Sequence, residues 1–84
     1  MRFKSKKNIE RVRGEPCLVC QKPPPSDVDH IQTRGSGGDD KLSNLAPLCR
    51  PHHSEKGRIG VRTFVTKYQL PITFDFGYPR RSDI

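Results

Sequence analysis

The sequence has no tryptophan, no long apolar run, and a cysteine count that cannot pair completely. Each absence excludes something. Without an apolar stretch approaching ~18 residues, no membrane-spanning helix is expected, and the basic first residues are not followed by the apolar segment of a secretory leader. Three cysteines would leave one thiol over in a secreted mini-protein. In a reducing cytosol, cysteines at short spacings more often bind metal. A soluble, cytoplasmic chain is therefore expected. Apolar residues make up only 31% of the 84 positions, and eight prolines and seven glycines interrupt them. A domain this short buries little more than ~60% of its unfolded surface, so a metal, a partner or a cross-link is expected to support the core.

Acidic residues are also scarce. Nine Asp and Glu stand against sixteen Lys and Arg, a net charge of +7. Nucleic acid attracts such a surface by counterion release, whatever its base sequence. A basic surface that only aids solubility, or that binds a membrane surface, is the plainer reading.

One domain is expected over residues 1–84, with no internal repeat. Residues 1–13, "MRFKSKKNIERVR", carry Arg2, Lys4, Lys6, Lys7, Arg11 and Arg13, and read as a basic arm with a short strand near its end. The arm either contacts phosphates through Lys4, Lys6 and Lys7 or is a frayed, solubilising terminus. "SDVDHIQT" alternates polar and apolar residues as a short strand does, and the glycines of "RGSGGDDK" form a loop. Leu42, Leu45 and Leu48 face inward. Pro51 suits the first turn of a short helix that Gly57 would end. Val61, Phe64, Val65 and Tyr68 recur at i, i+3, i+4 and i+7, which predicts an amphipathic helix from 61 to about 69, its apolar stripe packed in the core. Ile72, Phe74 and Phe76 alternate briefly, as an edge strand or packed extension would.

Two residues separated by two others can bind one tetrahedral ion from a single tight turn. Cys17 and Cys20 have that spacing in "CLVC", and so do Cys49 and His52 in "CRPH". Together the two pairs would close one Cys3His zinc site; a redox pair or simply buried thiols is the alternative. Cys49 and His53 are also within reach at i, i+4, but the shared spacing favours His52. Asp29, His30, Asn44 and His53 are left unexplained by zinc. Adjacent strand residues point to opposite faces, so Asp29 and His30 are expected to do different things rather than bind one atom.

The segment "VDHIQTRGSGGDDKLSNLAPLCRPHHSEK" resembles the HNH nucleases, with an Asp-His pair ending a first strand, an Asn-Leu after the loop and a His on the helix. Beyond it the chain is similar to small HNH proteins of phages and prophages that carry a zinc knuckle pair. The resemblance implies an α+β fold: a small zinc-stabilised domain with a ββα-metal (His-Me finger) core over 17–56, then a second short helix and a C-terminal extension over 57–84. It implies a metal-dependent endonuclease that hydrolyses DNA phosphodiester bonds, by a nick or a double-strand cut. In that reading His30 is the general base and Asn44 braces the loop. Asp29 and His53 hold one Mg2+, Mn2+ or Ni2+ ion, while Cys17, Cys20, Cys49 and His52 hold structural zinc. The chain departs from the pattern at His52, which stands where many zinc-containing members have a fourth cysteine. Arg34, Arg50, Lys56 and Arg58 join Lys4, Lys6 and Lys7 as candidate phosphate contacts. DNA is the expected partner, with a homodimer or a phage or recombination protein beside it, in the host cytoplasm if the chain is phage-encoded. The rival expectation is a non-catalytic zinc module that binds nucleic acid or protein; it gives Asp29, His30 and His53 no task.

Overall fold

The computed structural model describes residues 3–75 and 77–84; Arg2 of the basic arm and Phe76 of the tail lie outside them. Among the described residues the order is α1 (Lys6–Arg13), β1 (Asp27–His30), β2 (Leu45–Leu48), α2 (Arg50–Ile59), α3 (Val61–Tyr68), β3 (Ile72–Asp75) and β4 (Tyr78–Arg81). Three helices thus accompany two antiparallel, two-stranded sheets, β1–β2 and β3–β4. This is the α+β class the resemblance implied.

The N-terminal segment departs from expectation. It is a capped helix rather than an arm ending in a strand. Ser5 is extended and its hydroxyl accepts the Asn8 N–H at 3.1 Å, the usual N-cap bond. Asp40 adds a distant anchor, accepting the Ser5 N–H at 2.9 Å through its carboxylate and the Asn8 amide at 2.9 Å through its carbonyl. Val12 is buried on the inner side, and Arg11 and Arg13 stand in the last turn, where cations favour the helix dipole.

In β1–β2, Asp27 faces Leu48, Val28 faces Pro47, Asp29 faces Ala46 and His30 faces Leu45. The strand period of two therefore sets Asp27 and Asp29 on one face. Pro47 has no N–H to donate, which a strand tolerates at an edge; its carbonyl accepts Leu18 N–H at 2.8 Å, so the cysteine knuckle covers that edge. Cys49 is extended and starts α2, with Pro51 in its first turn. The helix runs past Gly57, the expected end, because a mid-helix glycine costs only about 1 kcal/mol relative to alanine. It stops at Gly60, whose φ of 89° with ψ of 156° is open to glycine alone. The two added residues include Ile59, which packs on the core.

The helix expected from Val61 onward is α3, and its stripe is core. Phe64 is buried with Cys17, Leu48 and Cys49, against Leu18, Val19, Ile59, Tyr68 and Leu70. Burying one such aromatic stabilises by roughly 3 kcal/mol. The tail folds back as the β3–β4 hairpin, turning at Gly77 with φ 85°. Arg81 staples it to β2: Nη1 donates to the Leu45 carbonyl at 3.2 Å, while Nε and Nη2 each reach Asp83 at 3.0 Å.

Candidate active site and metal centre

The two cysteine-spaced pairs meet. The knuckle at Cys17–Cys20 and the start of α2 bring Cys17, Cys20, Cys49 and His52 together, with their ligand atoms all within 4.8 Å of one another. Cys49 Sγ is 3.1 Å from His52 Nδ1, Cys17 Sγ is 3.7 Å from the same nitrogen, and Cys20 and Cys49 sulfurs are 3.8 Å apart. Such a cluster could hold a metal, and three sulfurs with one imidazole nitrogen are a donor set that suits zinc. Burial pushes the Cys17 thiol up, but backbone N–H groups at Cys20, Cys49 and Val19, with His52, outweigh it and bring it down to about 6. Thiolate is the form that binds metal. His52 is also gripped edge-on by Phe64 and Tyr68, at 6.5 and 5.3 Å between ring centroids. The ligand set and the core are thus one packed unit.

His53, one position on, faces elsewhere, because successive helical residues differ by about 100°. Its Nε2 lies 3.3 Å from Asp29 Oδ1 and its Nδ1 3.1 Å from Asp27 Oδ2. Asp29 is buried, and its Oδ2 makes no hydrogen bond among the described residues. Lys56 Nζ stands 3.1 Å from that oxygen without hydrogen-bond alignment, and 3.3 Å from Oδ1. The Lys56 ammonium is the cation that offsets this buried charge among the described residues. A divalent ion taking one carboxylate and one imidazole fits this pair, the remaining positions being open to water and phosphate oxygens.

His30 is turned away from that pair. Its Nε2 is 2.8 Å from Asp40 Oδ1, and the Arg34 Nε is 3.4 Å from the same nitrogen. Because a carboxylate only accepts, Nε2–H donates to Asp40, which in a neutral ring leaves the lone pair on Nδ1. Asp40 stays ionised, since although burial would push its carboxyl up, His30 and the Ser5 N–H outweigh this and hold it below the usual carboxylate range. Asn44 is fully buried beneath the loop. Its Oδ1 accepts from the Gln32 N–H at 2.7 Å and from Arg80 Nη1 at 3.1 Å; its Nδ2 donates to the carbonyls of Gln32 at 3.1 Å and Asp39 at 2.7 Å. The same loop needs Gly38, where a Cβ would sit 1.8 Å from the Gln32 carbonyl oxygen.

Sequence reasoning missed Asp27 and Asp40. The first was legible in principle, since it lies two residues from Asp29 on a strand; Asp40, within "GGDDK", resembles any polar turn. Arg50 Nε donates to Asp27 at 2.8 Å on a side chain that is 80% exposed. That bond and the one from His53 hold Asp27 below the usual carboxylate range. Lys56, a candidate phosphate contact from sequence, is half-buried with its ammonium against Asp29. Arg34, Arg58, Lys4, Lys6 and Lys7 are exposed. Arg13, Ser26, Asp27, Val28, Arg50 and His53 line an open cleft of about 470 Å3 beside the Asp29–His53 pair.

A family model described as "Putative HNHc nuclease" matches residues 6–74, which spans β1, β2, α2 and most of the remaining fold. No curated protein and no solved structure matches the chain.

Proposed function

The chain belongs to the HNH nuclease family, and we propose that it is a divalent-metal-dependent endonuclease hydrolysing DNA phosphodiester bonds, with zinc framing the site at Cys17, Cys20, Cys49 and His52. The family carries a nucleic-acid substrate with it; DNA cleavage is the finer reading. The observation that carries it is the buried Asp29 carboxylate facing His53 Nε2 at 3.3 Å, its Oδ2 accepting no hydrogen bond among the described residues although the Lys56 ammonium lies 3.1 Å away.

In this reading Asp29 and His53 hold one Mg2+, Mn2+ or Ni2+ ion, which when bound supplies positive charge to the phosphoryl oxygens and the departing oxygen. His30 follows Asp29 at the end of β1 and in this reading flanks the same phosphate as the ligands. Its Nδ1 takes the proton of an attacking water, whose oxygen bonds to phosphorus as the P–O3′ bond breaks. Asp40 receives the hydrogen bond of Nε2–H and balances the imidazolium that forms. Asn44 acts at a distance, keeping the 32–39 loop in the shape that carries Asp40 to His30.

Supercoiled plasmid with Mg2+, Mn2+ or Ni2+ is the direct test. The wild type should cut, and His30→Ala should keep its fold and zinc while cutting about 100-fold more slowly or worse. A folded, zinc-loaded wild type that cuts under none of these ions would favour the non-catalytic zinc module.

A further inference from the structure

The imidazole of His53 lies between two carboxylates, Asp27 at Nδ1 and Asp29 at Nε2, and a neutral ring has one proton to give. Which end carries it determines which end can bind a cation, because coordination needs a bare nitrogen lone pair. The two carboxylates differ in what already surrounds them. Asp27 Oδ2 has the Arg50 Nε at 2.8 Å as well as His53, so a guanidinium occupies the space a dication would need. Asp29 is buried with the Lys56 ammonium 3.1 Å from Oδ2 and 3.3 Å from Oδ1, yet Oδ2 accepts no hydrogen bond among the described residues, whereas Asp27 Oδ2 already has two donors.

We propose that Asp27 is a positioning residue for His53: it accepts the Nδ1 proton, which fixes the ring in the tautomer whose Nε2 lone pair faces Asp29. This rests on the reading that Asp29 and His53 hold the catalytic ion. The placement follows from two periodicities. Asp27 and Asp29 share a face of β1 because strands alternate, while Arg50 and His53 share a face of α2 because residues three apart on a helix are neighbours. Meeting face to face, the two elements interlock as Arg50–Asp27–His53–Asp29. One oxygen of Asp27 thereby orders both a metal ligand and an arginine of the adjoining cleft. Arg50 spends Nε on Asp27 and is otherwise exposed, so its remaining N–H groups can meet the phosphate next to the one being cut.

The test compares wild type, Asp27→Asn, Asp27→Ala, Asp29→Asn and His53→Ala, all loaded with zinc, by calorimetric Mn2+ titration, and all but the last by the 15N shifts of His53 without added Mn2+ at a pH where the ring is neutral. Wild type should show the Nδ1–H tautomer. Asp27→Ala should lose that preference and bind Mn2+ about 10–100-fold more weakly, the usual effect of removing such an outer partner. Asp27→Asn keeps an acceptor oxygen and should lie between them. Asp29→Asn should abolish binding with the tautomer unchanged. Wild-type shifts and affinity in Asp27→Ala would overturn the inference. So would loss of Mn2+ binding in both Asp27 variants with retention in Asp29→Asn, which would make Asp27 the ligand. Wild-type affinity in both Asp29→Asn and His53→Ala would instead remove the ion site itself, and this inference with it.

Discussion

Asp40 divides its carboxylate between two neighbours, giving Oδ1 to His30 and Oδ2 to the first N–H of the α1 cap. Because its folded pKa is depressed below the ordinary ~3.9, the stabilisation it gives is fully present above about pH 4 and is lost as pH falls through the lower, folded value. Asp40→Asn should therefore reduce stability at neutral pH, and the gap between wild type and variant should narrow as pH drops below 4. Urea unfolding midpoints from pH 7 to pH 3 measure this at each pH where zinc content shows both proteins still loaded. A gap that stays constant over the range would mean the Asp40 charge contributes nothing. Motif order singles out Asp29, His30, Asn44 and His53 in the sequence. It does not single out Asp40, since nothing in "GGDDK" says that the chain will fold a distant helix cap and a histidine onto one of its two aspartates.

Helices differ in how plainly their sequences announce them. The four apolar positions of α3 repeat at helical spacing and bury Phe64 and Val65, so periodicity suffices. In α1 only Val12 is buried; what fixes this helix is Ser5 and the tertiary bonds from Asp40, which short-range pattern cannot show. The outcome changes what the lysines can do. Lys6 and Lys7 are exposed on a helix held to the β1–β2 unit, and Lys4 just precedes it. A positively charged element with a fixed position should meet phosphates without reading bases. Replacing Lys4, Lys6 and Lys7 by Gln should weaken DNA binding equally for unrelated sequences and lower the slope of log K against log salt, by about 0.9 for each phosphate that is no longer neutralised. Fluorescence anisotropy at several salt concentrations gives the slope, and an unchanged one would show that this end of the molecule stays off the backbone.

At the scale of the whole molecule, the residues proposed to hold zinc are also part of the core. Cys17 and Cys49 belong to the same buried cluster as Leu48 and Phe64, and His52 stacks edge-on against Phe64 and Tyr68. With so small an apolar cluster, zinc bound in the proposed site would supply much of the stability, on the order of 10 kcal/mol at neutral pH. His52 and His53 should accordingly fail in different ways, although they are adjacent. His52→Ala removes a ligand and an aromatic partner together, so zinc content should drop and the cooperative thermal transition should broaden or vanish. His53 is partly exposed, its ring stands between Asp27 and Asp29, and it is not among the four clustered ligands. His53→Ala should therefore keep one zinc per chain and a wild-type circular dichroism spectrum, while losing Mn2+ binding and cleavage. Metal analysis beside thermal melts decides it. If His53→Ala loses zinc while His52→Ala keeps it, the two assignments are reversed. If both lose zinc and neither affects a second ion, the two histidines serve one metal, and Asp29 has no cation to share with the helix.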